Sequence, residues 1–303
     1  MTVIDGRTVK FADWVDESSF GTTPTNPTMS AFPGELINIE PTSGPEVDSY
    51  KVLQGASVTD PLSCGKTVKT GETHGIKITI KASALTWLPY ALMATNTTTY
   101  ATGKVEHPIS IGLVSDSEYC VYSGCVLQEA VWDFPDMKTA NTLTLTYMCQ
   151  DKSDWSGTDY IGTGSHATAP TDTPYTLADL TSFQYDSAAP SSSNLIIESF
   201  KMTLSYDMEG VTDLSESAPS KIAEFSFNSR SIQVDTSATA MAMGAHDDLI
   251  AGDDHTIDFT CDTKNFTFSA LKWTNNPTVG MGPAARVGMS FTSDGDATRL
   301  AIA

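Results

Sequence analysis

The feature that most constrains this chain is a strict two-residue alternation of apolar and polar side chains. Ile76-Lys77-Ile78-Thr79-Ile80-Lys81 puts its isoleucines on one side of an extended backbone, and Thr142-Leu143-Thr144-Leu145-Thr146-Tyr147 repeats the pattern. Successive side chains of a strand point to opposite faces, so both segments predict half-buried strands of antiparallel sheet. Further strands are expected at 35–40, 49–58, 107–114, 118–134, 196–207, 222–234, 255–261, 264–274, 285–292 and 298–302, where Thr, Val, Ile, Phe and Tyr abound. Only two stretches read as helix. In 84–94, Ser83 is a candidate cap and Leu85, Leu88 and Leu92 recur at helical spacing, with Pro89 making the helix short or kinked. The second, 237–251, is rich in Ala and Met, with Ser237 as cap and Gly252 beyond its end.

These elements recur in one order. Strand 76–81, helix 84–94, strand 107–114, strands 118–134 and strand 142–149 are followed by strand 222–234, helix 237–251, strand 255–261, strand 264–274 and strand 285–292. The offset stays near roughly 140 to 155 residues, which predicts one fold used twice. In this matching His107-Pro108-Ile109-Ser110-Ile111 stands opposite His255-Thr256-Ile257-Asp258-Phe259, and Val131-Trp132 opposite Lys272-Trp273. The expected organisation is an N-terminal arm at 1–34, a first β domain at 35–150, an irregular insertion at 151–194 and a second β domain at 195–303. Both the arm and the insertion are rich in turn formers yet carry aromatics, Trp14, Phe20 and Phe32 in one, Trp155 and Tyr160 in the other. Such side chains need somewhere to dock: a partner subunit, or the protein's own sandwich.

Charge narrows the function. With 37 acidic against 17 basic residues the formal net charge is -20. A nucleic-acid binder needs Lys and Arg to displace the counterions of a polyanion, and an anionic membrane surface makes the same demand. The first twenty residues show no apolar run behind a basic patch, and no stretch approaches about 18 apolar residues, so neither a secretory signal nor a membrane helix is expected. Cys64, Cys120, Cys125, Cys149 and Cys261 are odd in number and widely spaced, which fits buried free thiols better than a disulfide framework.

Catalytic patterns are missing from the sequence. The five histidines, His74, His107, His166, His246 and His255, share no ligand spacing with Cys or carboxylate. The densest polar cluster, His246-Asp247-Asp248 with Gly252-Asp253-Asp254-His255, reads as a helix end and a solvated turn, not a cation loop. The glycine pairs at 162–164 and 280–282 lack the Walker lysine, and no Gly-x-Ser-x-Gly elbow occurs. No enzyme, metal or cofactor is expected.

Three segments together resemble the tail tube (major tail) proteins of long-tailed phages and archaeal tailed viruses. Glu17-Ser18-Ser19-Phe20-Gly21-Thr22 is similar to the E-x-x-(Y/F)-G-T opening of one large group. Tyr119-Cys120-Val121-Tyr122-Ser123-Gly124-Cys125-Val126, followed by Val131-Trp132 and Phe134, is similar to its Gly-Cys hairpin. A second β block opens at Ile196-Ile197-Glu198-Ser199-Phe200-Lys201-Met202 and closes with Gly288-Met289-Ser290-Phe291. The resemblance spans most of the chain outside 151–194.

It implies an all-β fold of two tandem tube-type β-sandwich domains, each with a flanking short helix, plus the arm and insertion. It implies a virion structural protein that self-assembles into stacked rings, of three chains if the fold is duplicated and six if it is not. The tape measure protein and genomic DNA would pass through the bore, and tail terminator and baseplate proteins would meet the ends. The subunit would occupy the host cytoplasm before assembly and the tail afterwards. Trp14, Phe20, Phe32, Trp155 and Tyr160 are the expected assembly contacts. The alternative is a carbohydrate-binding or adhesive β module of a fibre or cell surface, stacking its aromatics on sugars.

Overall fold

The computed structural model describes residues 11–51, 65–94, 100–101, 103, 105–187, 195–212, 222–240, 254–274, 285–293, 296 and 298–303. These residues are all-β, with a single short α-helix and one 3-10 turn at Leu177–Asp179. The elements are β1 (Phe11–Asp16), β2 (Ser30–Ala31), β3 (Gly34–Lys51), β4 (Gly65–Ala82), α1 (Leu88–Leu92), β5 (Tyr100–Ala101), β6 (Ile109–Ser115), β7 (Glu118–Phe134) and β8 (Thr142–Cys149). They continue with β9 (Asp151–Lys152), β10 (Thr181–Tyr185), β11 (Leu195–Thr212), β12 (Ile222–Ala240), β13 (His255–Cys261), β14 (Lys264–Trp273), β15 (Ala285–Ser293) and β16 (Leu300–Ile302).

Antiparallel pairing arranges the main sheet in the order β3-β4-β8-β7-β11-β12-β15-β14. Two smaller layers complete the fold. One runs β2-β1-β6-β7 with β9 on the far side of β7, and the other runs β10-β13-β14-β16-β5. Strands β7 and β14 therefore each belong to two sheets. The early part of β7 pairs with β6, and the part from Val126 onward with β8. β14 pairs with β13 through Leu271 and with β15 at Lys272 and Trp273. Apolar side chains of these sheets merge into one core, in which Phe200 of the main sheet packs edge-on to Phe259 at 4.9 Å and Trp132 meets Phe266 at 5.9 Å.

The same seven-strand pattern occurs twice: β1, β3, β4, β6, β7, β8 and β9 correspond to β10, β11, β12, β13, β14, β15 and β16. Each set opens with a strand on β6 or β13, follows with a long hairpin, crosses between layers, and closes with a short strand on β7 or β14. The irregularities match as well. β3 bulges at Ile37 and β11 at Glu198, and the returning strands bulge at Thr70 and Asn228. Where β7 changes sheets Gly124 has φ 59, and where β14 does so Ala270 has φ 49. Bulges at matched places are built features of a fold and not random defects. In this register His255, opposite Leu271, is the counterpart of Ile109, opposite Cys125, and not of His107. Likewise Lys272-Trp273 matches Val126-Leu127 instead of Val131-Trp132, because both pairs face the same positions of β15 and β8.

The expected helix at 84–94 is shorter, Leu88–Leu92, with Pro89 in its first turn and Met93 in a left-handed cap. The expected helix at 237–251 is a correction. Ser237–Ala240 continue β12 and pair on both sides, with β11 and β15, while 241–251 lie outside the described residues. Two sheet neighbours outweigh the helix propensity of alanine. Parts of the expected arm and insertion also belong to the sheets, as β1 and β10.

Candidate functional site

Two of the three segments that carry the tube-protein resemblance meet at one point. The side chain of Glu17 is buried, its Oε1 accepting the Gly124 amide at 2.8 Å and the Ser110 hydroxyl at 2.6 Å, its Oε2 accepting the Gly21 amide at 2.7 Å. Close backbone approach explains both glycines. A Cβ on Gly124 would lie 2.6 Å from Cβ of Gln150, and one on Gly21 would overlap the Gln150 amide. The motif thus fastens the turn after β1 to the place where β7 leaves one sheet for the other. Phe20 stacks edge-on against Phe225 of the second half at 5.4 Å.

The other expected assembly residues also pack on their own chain. The indole N–H of Trp14 donates to Ala31 O at 3.1 Å and its ring meets Tyr90 at 5.1 Å. Phe32 is buried in the core and Trp155 is half-buried against it. Tyr160 donates to Oδ1 of the fully buried Asp13 at 2.6 Å, its ring lying where a side chain on Gly112 would stand. His166 joins that cluster, with Nδ1 2.7 Å from Asp13 Oδ2 and Nε2 3.1 Å from Asp159 Oδ2. Burial alone would push the imidazole down, but the two carboxylates outweigh it and the net shift is upward.

The joint between the two halves is the most informative surface. From Glu129 to Asp133 β7 is paired with β8 on one side, and from Glu129 to Phe134 with Ser205–Phe200 of β11 on the other. Asp133 stands opposite Lys201, which stands opposite Asp235. Burial pushes the Asp133 carboxyl up, and Lys201 and Lys81 pull it back. On the same polar face Lys77 pairs with Glu40 at 3.6 Å, and Lys81 donates to Thr142 Oγ1 at 2.8 Å. Thr79, Thr144, Val131, Thr203, Gln233 and Thr292 fill the row between. Among the described residues β3, the counterpart of β11, pairs with β4 alone, so its outer edge is open.

A cleft of 790 Å³ lies between the β3–β4 and β11–β12 hairpins, with Tyr147, Met148, Met208 and Ile222 in its wall. In it Ser43 Oγ is 3.1 Å from His74 Nδ1, and His74 Nε2 is 3.3 Å from Glu72, an arrangement that sequence spacing does not reveal. The Ser43 hydroxyl also lies 2.7 Å from Thr42 O, so that carbonyl competes with the imidazole for its one proton. A nucleophile activated by a base must give its proton to that base.

Cys120, Cys125, Cys149 and Cys261 are free and buried, and burial pushes the Cys125 thiol up. Of the polar cluster at 246–255, His255 bonds to Asp186 and Tyr185 through Nδ1, at 2.8 Å each, and 246–253 lie outside the described residues. No protein-family model and no curated protein matches this chain.

Proposed function

We propose that this protein is a tail tube subunit of a tailed virus, three copies closing into a ring of six quasi-equivalent units and rings stacking into a conduit for DNA. The observation that carries this reading is the β7–β11 joint, in which two copies of a seven-strand unit continue one sheet edge to edge. The arrangement is head-to-tail: the first unit offers β7, the edge strand of its part of the main sheet, to the first hairpin of the second. A head-to-tail contact between like units closes into a ring when its rotation permits, and closure removes unpaired strand edges.

On this reading the polar face of the main sheet is the bore wall. Its charges alternate from strand to strand and are interleaved with Ser and Thr, so it presents no basic track that would hold phosphates. The alternative, a glycan-binding module, draws no support from the tryptophans: none of Trp14, Trp87, Trp132, Trp155 and Trp273 is exposed. Negative-stain microscopy and light scattering on the purified chain test the proposal. Rings or tubes with a central channel, built from multiples of three chains, are the expected result. Monomers at every concentration would overturn it.

A further inference from the structure

The first half carries a pair of thiols that the fold does not require. Val126 of β7 stands opposite Met148 of β8, so the residues just before and after them, Cys125 and Cys149, stand opposite one another. The Gln150 N–H is shared between Ser123 O and Gly124 O. That makes Gly124 and Gln150 the hydrogen-bonded position of the ladder and Cys125 and Cys149 a non-hydrogen-bonded pair. Side chains of such a pair leave the same face from Cα atoms about 4.5 Å apart, within the range that a disulfide spans. The strands run close here, since a Cβ on Gly124 would lie 2.6 Å from Cβ of Gln150. Both cysteines are free and fully buried, and burial together with the facing Cys149 thiol pushes the Cys125 thiol up.

The other thiols are placed elsewhere. Cys120 stands opposite Leu113 and donates to Ser153 O at 3.2 Å, and Cys261 stands opposite Lys264 at the β13–β14 turn. Cys64 lies outside the described residues. In the second half the places of Cys125 and Cys149 fall to Leu271 and Ser293, because Lys272 and Thr292 match Val126 and Met148. That half packs the same crossing without sulfur, with Leu271 fully buried. The cleft between the hairpins comes within one strand of the pair. Cys149 stands opposite His74 and His74 opposite Ser43, so Ser43, His74, Cys149 and Cys125 form one row across β3, β4, β8 and β7. Ser43 and His74 line the cleft.

We propose that Cys125 and Cys149 form a redox-closed staple, open as a dithiol in a thiol-rich compartment and closed by hydrogen peroxide outside it. One thiolate attacks the O–O bond of the peroxide, becoming a sulfenic acid and releasing hydroxide. The other thiolate attacks that sulfur, forms the S–S bond and releases a second hydroxide. The two thiol protons convert both hydroxides to water, so sulfur is oxidised and peroxide oxygen reduced. Burial disfavours the thiolate, which makes closure slow and lets the dithiol persist wherever reductant is present. Once closed, the staple ties β7 to β8 one residue from Gly124, where β7 changes sheets, and adds a covalent link to the Glu17 fastening. It does not depend on the tube reading.

Peptide mapping of the intact chain tests this. The folded protein is treated with hydrogen peroxide, its remaining thiols are alkylated in denaturant, and the digest is read by mass spectrometry before and after dithiothreitol. One linked pair of peptides is expected, with fragmentation placing the link on Cys125 and Cys149, while Cys120 and Cys261 are alkylated. The oxidised chain is expected to melt about 5 °C higher and to lose that gain on reduction. Cys125 and Cys149 recovered unlinked after exhaustive treatment, or either one linked to another cysteine, would overturn the pair. A correct link with no rise in melting temperature would overturn its role as a staple.

Discussion

Glu17 and Gly124 are 107 residues apart in sequence, yet the Gly124 amide donates to Glu17 Oε1 at 2.8 Å. The same oxygen accepts the Ser110 hydroxyl, and the other accepts the Gly21 amide. One carboxylate thus fixes the turn after β1, the edge of β6 and the crossing of β7. Two of the three segments that suggested a tube protein are halves of one structural fastening.

Replacing Glu17 with Gln keeps the shape but removes the charge and puts an amide NH2 where one of the two oxygens accepts. The variant is expected to be less stable by about 2–3 kcal/mol. Chemical unfolding followed by circular dichroism measures this, and a change below about 0.5 kcal/mol would show that the fastening is not energetic.

Asn141 is fully buried, and its side chain makes four hydrogen bonds: Nδ2 to Ala82 O and Tyr175 O, and Oδ1 from Ala82 N and Trp132 Nε1. Asn141→Ala leaves the Ala82 N–H and the Trp132 indole N–H unpaired in the core, while the Ala82 and Tyr175 carbonyls each keep one backbone hydrogen bond. A loss of about 3–5 kcal/mol is expected, with soluble expression falling accordingly. A fully stable variant would mean that water replaces the amide.

The duplicated crossing gives a paired prediction. Gly124 has φ 59 and no room for a Cβ beside Gln150, so Gly124→Ala should destabilise by at least about 2 kcal/mol. Ala270 bears a side chain at φ 49 in the matching position, so Ala270→Gly should stabilise by about 1 kcal/mol. Melting temperatures moving the same way for both variants would contradict the structural match.

His166 bridges Asp13 and Asp159, beside Tyr160, Tyr119 and Phe11. Its folded-state value is raised above the ordinary 6.5. The bridge is therefore fully stabilising below that ordinary value and is lost as pH rises through the raised one. Limited proteolysis of the segment 153–170 is expected to accelerate as pH climbs across that window, and His166→Asn should abolish the pH dependence. Equal cleavage of the wild-type chain at pH 5.5 and 9 would refute the bridge.

Much of the sheet was legible because its signal is local. Ile76–Lys81 and Thr142–Tyr147 bury and expose alternate side chains as their pattern requires. The order of elements also revealed the repeat, although its register had to come from the strand pairs. The segment 237–240 was misread because alanine favours helix in isolation, whereas both its neighbours, β11 and β15, are distant in sequence. Glu17, Asp13 and Asn141 could not be read as anchors, since nothing nearby in sequence marks a polar side chain for burial. The Ser43–His74–Glu72 arrangement was hidden for the same reason: only the pairing of β3 with β4 brings Ser43 opposite His74.

Strands β7 and β14 each serve two layers, and this has a mechanical result. Pulling the layers apart loads the covalent backbone at Gly124 and Ala270, not merely the side chains packed between them. Each half is hinged to itself by peptide bonds, so bending or shear is carried from layer to layer by the chain itself.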